Sequence, residues 1–135
     1  MPIFHLPAGL TQVAHFSVPK VQTWGNTKND AAYKETIRAC SRLLPQDGHG
    51  YKWFVFCIRC VVGSSRGRVA YQIPDVENIP KLIVDAFTGL LYNDDNIHHV
   101  RGVQAEASFG SDSEEIAEVW IFGMPKDISA IGKGE

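Results

Sequence analysis

The chain has 135 residues and a formal net charge of −2, with 44% hydrophobic and 21% charged residues. This size and composition are typical of one globular domain, 1–135, which can bury a core without disulfides or a structural metal. Three cysteines, an odd number, argue against a disulfide framework and favour a reducing, cytoplasmic location. No run of about 18 apolar residues is present, and the first twenty residues lack a basic start, so we expect neither a membrane span nor a signal peptide.

Charge is distributed unevenly along the chain. Residues 1–73 carry nine Lys/Arg and three Asp/Glu, whereas residues 74–135 carry four Lys/Arg and twelve Asp/Glu. Five of these acids lie within 21 positions: Asp75, Glu77, Asp85, Asp94 and Asp95. A basic half with one concentrated acidic cluster suits a surface that attracts phosphates and a pocket that holds cations. The alternative is a solvated charge pattern without function.

In chain order, the first half predicts an arm, a strand, a helix and a longer strand. Residues 1–12 form the irregular arm, and Val13–Val18 form a short strand. A helix begins near Asn29 and ends at Pro45. Its apolar stripe consists of Tyr33, Ile37, Cys40 and Leu44. Residues 51–62 are rich in aromatic and β-branched types and predict a long, largely buried strand.

The second half predicts a strand at 69–73 and then a helix from 78 to about 91. Apolar residues at spacings of three and four define this helix. After a polar turn, two further strands are predicted at 97–107 and 117–122, followed by a mobile tail at 124–135. The order indicates a single α+β domain with a mixed or antiparallel sheet of about four to five strands and two main helices.

Two acidic stretches form the candidate metal site. Asp75 and Glu77 are two residues apart, and alternate residues of an extended segment point to the same side. Asp94 and Asp95 follow the predicted helix, so only tertiary folding can bring them near Asp75. Clustered carboxylates match the oxygen ligands that Mg²⁺ prefers. Alternatively, Asp75 caps the helix and the turn at 94–96 is merely solvated.

Lys81 is the candidate catalytic cation. It lies four residues after Glu77 and four before Asp85. A lysine beside the carboxylates can hold a phosphate or neutralise charge that develops in the transition state. The alternative is a surface salt bridge with Asp85, which would contribute about 0.3–0.5 kcal/mol.

The run PDVENIPKLIVDAFTGLLYNDDNIHHV, residues 74–100, resembles the signature of the RusA family of Holliday junction resolvases. That family shows acid-x-Asp-Asn, a lysine three residues after the Asn, an Asp-Ala pair within the helix, and a turn ending in a double Asp. The matching positions here are Asp75, Glu77-Asn78, Lys81, Asp85-Ala86 and Asp94-Asp95. The opening also resembles the family, with a strand ending at Val18-Pro19-Lys20 and a later helix that contains Tyr33-Lys34.

The resemblance implies a Mg²⁺-dependent, homodimeric endodeoxyribonuclease that cuts branched DNA symmetrically in recombination and repair, with Mn²⁺ as a substitute metal. Asp75, Glu77 and Asp95 would be metal ligands that Asp94 supports, and Lys81 would be the catalytic lysine. The family usually has Asp where this chain has Glu77.

Basic residues outside this motif are candidate DNA contacts. They are Arg66 and Arg68 in a Gly/Ser-rich loop, Lys34, Arg38 and Arg42 on one helix face, and Lys20 at the end of the first strand. The alternative for the loop and for the helix face is a charged surface that maintains solubility.

Two other motifs suggest metal ligands. Cys57 and Cys60 suggest zinc, but residues three apart on a strand face opposite sides, and no second pair is suitably spaced. His98 and His99 follow the acidic turn, and at most one of two adjacent strand residues could reach the site.

Three functions therefore remain open on the sequence. The first is a Mg²⁺-dependent nuclease acting on branched DNA. The second is a junction-binding protein with impaired catalysis, for which Glu77 would be the cause. The third is a small interaction domain without a nucleic-acid role.

Overall fold

A computed structural model describes residues 4–21, 27–65, 79–93 and 96–126, with the backbone alone at 27–29. Within these residues the chain forms four strands and two α-helices, with 3₁₀ turns at Pro45–Gly48 and Asp112–Glu114. In chain order the elements are β1 (Thr11–Pro19), α1 (Thr27–Ser41), β2 (Tyr51–Gly63), α2 (Ile79–Asp85), β3 (Val100–Gly110) and β4 (Ile116–Pro125). The predicted α+β class with a mixed sheet and two main helices is confirmed. Neither described helix is long and apolar enough to cross a membrane.

The four strands form one sheet in the order β1-β4-β2-β3. Strand β4 pairs antiparallel with both β1 and β2, whereas β2 and β3 run parallel. The central position of β2 explains its continuous apolar sequence, because residues 54–58 are buried on both faces of the sheet. A parallel pair cannot be joined by a tight turn, so the chain between β2 and β3 crosses over and contains α2.

Each face of the sheet has its own core. On the inner face, defined as the face that packs against the helices, the ring of Phe87 lies 6.1 Å from that of Phe16 and 5.9 Å from that of Phe56. On the opposite, outer face, the buried residues are Val55, Cys57, Trp120 and Phe122, packed against Phe4, Leu6, Leu10 and Trp53. Residues 4–10 form neither helix nor strand, as predicted for the arm, and they cover this outer face.

Helix α1 differs from the prediction at both ends. It begins at Thr27, two residues before Asn29, and it ends at Ser41 rather than at Pro45. Arg42 adopts a left-handed φ of 57°, which terminates the helix. Leu44 therefore leaves the apolar stripe and is 53% exposed.

Helix α2 is shorter than predicted, since it ends at Asp85 instead of near 91. Gly89 has a φ of +87°, and its N–H donates to the carbonyl of Tyr92 at 2.6 Å, so the chain turns. Phe87 and Leu91 nevertheless remain buried. The apolar spacing predicted burial correctly but overestimated the length of the helix.

Strand boundaries also differ from the predictions, most at both ends of β3 and at the end of β4. Strand β3 begins at Val100 rather than at 97, because the amides of His99 and Val100 both donate to the Asn96 carbonyl at 2.9 Å and form a turn. Strand β1 begins two residues early, at Thr11, and β4 continues through Pro125 into the predicted tail. The predicted strand at 69–73 and residues 127–135 lie outside the described residues.

Cys57 and Cys60 lie on opposite faces of the sheet, as expected from their spacing. Burial raises the pKa of the Cys57 thiol to about 11. Burial and the nearby Glu115 carboxylate raise the pKa of the Cys60 thiol to about 12. Both thiols are therefore held in the unreactive protonated form.

We expect Cys40, which is partly exposed, to react first with a thiol reagent in the native protein at mildly alkaline pH. Cys57 and Cys60 should react at the rate of unfolding, and Cys40→Ser should remove the fast phase. Folding raises the pKa of both buried thiols. The two protonated thiols therefore stabilise the folded state below the ordinary thiol pKa of 9.0, and this stabilisation is lost as the pH rises towards 11–12. Three equally fast thiols in the folded protein would contradict this prediction.

Candidate functional site

Most of the predicted site residues lie outside the described part of the chain. These are the carboxylates Asp75, Glu77, Asp94 and Asp95 and the loop residues Arg66 and Arg68. Of the predicted residues, the structure describes Lys20, Lys34, Arg38 and Lys81. Within residues 4–21, 27–65, 79–93 and 96–126, no three His, Cys, Asp or Glu side chains are grouped as a metal site. The carboxylate cluster therefore remains a prediction.

An open cleft of about 440 Å³ lies between the start of α2 and the start of β3, and we call it the α2–β3 cleft. Its lining residues are Pro80, Lys81 and Val84 from the helix and Val100, Arg101, Gly102 and Val103 from the strand. In sequence, Glu77 precedes the first residue of α2 by two positions, and Asp95 precedes the first residue of β3 by five. The start of α2, which follows Glu77, and the start of β3, which follows Asp95, thus line the same cleft.

Among the described residues, two cationic ones line the α2–β3 cleft. Lys81 is exposed in the first turn of α2. The guanidinium of Arg101 lies 5.1 Å from the ring centroid of Trp53, and its Nε donates to the Ile97 carbonyl at 3.2 Å. A cation–π contact and a hydrogen bond therefore restrict the orientation of Arg101.

Sequence reasoning missed Arg101. It is an isolated arginine in the acidic half of the chain and belongs to no basic run. The contact with Trp53 depends on the pairing of β2 with β3, which the sequence pattern did not predict.

The basic residues of α1 contact the end of α2. The Lys34 ammonium pairs with a carboxylate oxygen of Asp85, and the Arg38 Nε donates to the Ala86 carbonyl. Cations are favourable at a helix C-terminus, where the last carbonyls have no partner within the helix. Both groups of the Lys34–Asp85 pair are partly exposed, so it contributes about 1 kcal/mol or less. These contacts give Lys34 and Arg38 a structural role, and their predicted contact with DNA stays a prediction.

The backbone at Lys20 is fixed, although its side chain is exposed. Lys20 has a φ of 70°, and its carbonyl accepts a hydrogen bond from the Tyr33 hydroxyl at 2.7 Å. This bond links the end of β1 to α1.

Two carboxylates hold the ends of β1 and β2. Glu115 accepts hydrogen bonds from the amides of Val21 at 3.1 Å and Gly63 at 2.9 Å. Asp112 accepts one from the amide of Ser65 at 3.0 Å. Glu115 and Asp112 therefore hold the backbone at residue 21, just before residues 22–26, and at residues 63 and 65, just before residues 66–78. The predicted DNA contacts Arg66 and Arg68 belong to the second of these segments.

His98 and His99 lie in a turn, not on a strand as predicted. His98 is exposed, whereas the partly buried ring of His99 stacks on Tyr92, with the ring centroids 6.1 Å apart. The Nδ1 atom of His99 is buried and has no hydrogen-bond partner among the described residues.

No protein-family model matches the chain, and a search of the curated proteins found no match. The likeness to RusA-type resolvases therefore rests on the motif at residues 74–100 and enters below as a proposal.

Proposed function

We propose that the chain is a Mg²⁺-dependent endodeoxyribonuclease that cleaves four-way DNA junctions. The observation that carries the proposal is the α2–β3 cleft, because its described residues follow both acidic stretches and include Lys81 and Arg101. The motif at 74–100 supplies the other support, since its residue types and order match those of the RusA family. Three free cysteines, two of them fully buried, support action in a reducing cytoplasm.

The donor set suits a hard divalent cation. Asp75, Glu77 and Asp95 would hold Mg²⁺ through carboxylate oxygens, and Asp94 would support them. When bound, the cation supplies activation of water and neutralisation of charge on the phosphodiester. Lys81 would balance charge that develops on the phosphate oxygens. A single compact site cuts one strand, so symmetrical cutting of a junction requires a homodimer.

The test is cleavage of a synthetic four-way junction in the presence of Mg²⁺ or Mn²⁺. We expect paired nicks that disappear in excess EDTA, with a linear duplex of the same sequence as the uncut control. Full cleavage in EDTA would refute metal-assisted hydrolysis. Absence of cleavage with both metals would refute the nuclease.

A second candidate is a protein that binds junctions without cutting them. Glu77 favours it, because it is one methylene longer than the Asp that the family usually has, and metal chemistry is sensitive to such shifts. In that case we expect tight junction binding with no nicks, and cleavage restored by Glu77→Asp. Absence of junction binding at low salt would instead indicate an interaction domain without a nucleic-acid role.

A further inference from the structure

A second cleft, of about 350 Å³, lies beside the turn that leads into β3. It is formed by parts of the chain that are distant in sequence: the turn before β2, the start of β2, the loop after α2, the turn before β3 and the residue after β4. Its lining residues are Gly48, His49, Tyr51, Lys52, Gly89, Leu90, Leu91, Tyr92, Asn93, His99 and Lys126. We call it the basic cleft, for the reason that follows.

Four nitrogen-bearing basic side chains converge on this cleft. They are His49, Lys52, His99 and Lys126, and no Asp or Glu occurs among the described residues that line it. Two of them, His99 and Lys126, come from the half of the chain that carries twelve acids and four Lys/Arg. Folding therefore brings basic groups together where the local sequence is mostly acidic. We propose that the basic cleft binds a phosphate group of the DNA backbone.

The backbone around the cleft is fixed by hydrogen bonds. The amide of Lys126 donates to the Gly50 carbonyl at 2.8 Å, which joins the end of β4 to the start of β2. The carbonyl of His99 accepts a hydrogen bond from the Phe54 amide at 2.7 Å. Lys52 and Lys126 thus line the same cleft from backbone that the fold already fixes.

The ring of His99 is held in place beside the cleft. It is stacked on Tyr92, whose hydroxyl donates to the Val84 carbonyl, and its buried Nδ1 has no partner within the described residues.

The position of the cleft connects it with the proposed function. Its lining includes Asn93, the residue immediately before Asp94 and Asp95. The choice of DNA as the source of the phosphate rests on the nuclease proposal, whereas the affinity for a phosphate group does not.

The test compares wild type, Lys52→Gln, Lys126→Gln and the double variant in binding to a fluorescent four-way junction, in EDTA and over a series of salt concentrations. Loss of this one phosphate contact should make the plot of log K against log salt less steep by about 0.9 in the double variant, and each single variant should lose part of that. Arg59→Gln is the matched control, because Arg59 is exposed on the outer face and lies 3.7 Å from Glu106. It should leave the affinity and the slope close to those of wild type.

A second arm measures the thermal stability of the same proteins with inorganic phosphate. Phosphate should raise the Tm of wild type and of Arg59→Gln, and raise that of the double variant less. Without ligand, the Tm of each variant reports whether it folds.

The outcomes separate the two proposals. Junction cleavage by wild type, together with unchanged binding and slope in the double variant, overturns the role of the basic cleft and leaves the nuclease standing. A phosphate-specific Tm shift without any DNA binding supports the anion site and overturns both DNA as its ligand and the nuclease. If wild type neither binds the junction nor gains Tm with inorganic phosphate, both proposals are overturned.

Discussion

Substitution of Asp75 by Asn is expected to lower Mg²⁺-dependent cleavage of a four-way junction by roughly a thousandfold. The neutral amide is a weaker ligand for a hard cation than a carboxylate. A bound metal supplies several kcal/mol of transition-state stabilisation, and each 1.36 kcal/mol corresponds to a tenfold change in rate, at about 25 °C. Single-turnover cleavage with protein in excess measures the chemical step.

The control for this variant is Glu106→Gln, which removes an exposed carboxylate that lies on β3 and is 3.7 Å from Arg59. We expect it to cleave as wild type does. Junction binding by Asp75→Asn in EDTA should be retained, because the substitution removes a negative charge that would repel phosphate. Wild-type cleavage by Asp75→Asn would show that this carboxylate is not a metal ligand.

Phe87→Ala is expected to reduce the free energy of unfolding by about 3–5 kcal/mol, the usual cost of removing a buried aromatic ring. Phe87 has no exposed surface, and its ring packs between those of Phe16 in β1 and Phe56 in β2. The loop after Phe87 is closed by a hydrogen bond from the Gly89 amide to the Tyr92 carbonyl, which opposes its collapse into the cavity. Urea unfolding followed by tryptophan fluorescence measures the change.

A matched phenylalanine is available in β3. Phe109 is 58% exposed, so Phe109→Ala should change the unfolding free energy by about 0.5 kcal/mol or less. A loss below about 1 kcal/mol in Phe87→Ala, similar to that of the control, would mean that Phe87 is not part of the rigid core.

The sequence was most informative where burial decides the structure. The apolar run at 51–62 predicted β2 to within one residue, because a central strand is buried on both faces. The apolar spacing after residue 78 predicted burial of Phe87 and Leu91 but not the end of α2 at Asp85. The spacing of apolar residues reports contact with the core, whereas the positive φ of Gly89 and the contact of Arg38 with Ala86 decide where the helix ends.

The candidate site was less accessible to such reasoning. A local motif can identify Lys81, since its neighbours in sequence include the acids of the same motif. No local pattern identifies Arg101, because its position depends on Trp53 of another strand. The basic cleft is harder still to predict from the sequence. Its basic groups come from positions 49 to 126, and they meet only through the pairing of β2 with β4 and the turn before β3.

The parallel pairing of β2 with β3 has a consequence for how this protein can evolve. The connection between the two strands, residues 64–99, is shorter than the connections that must close before β4 can pair with β2 or with β1. All four proposed metal ligands and Lys81 belong to that one connection. Insertions or substitutions within it can therefore alter the proposed site while the registers of β1, β4 and β2 stay unchanged.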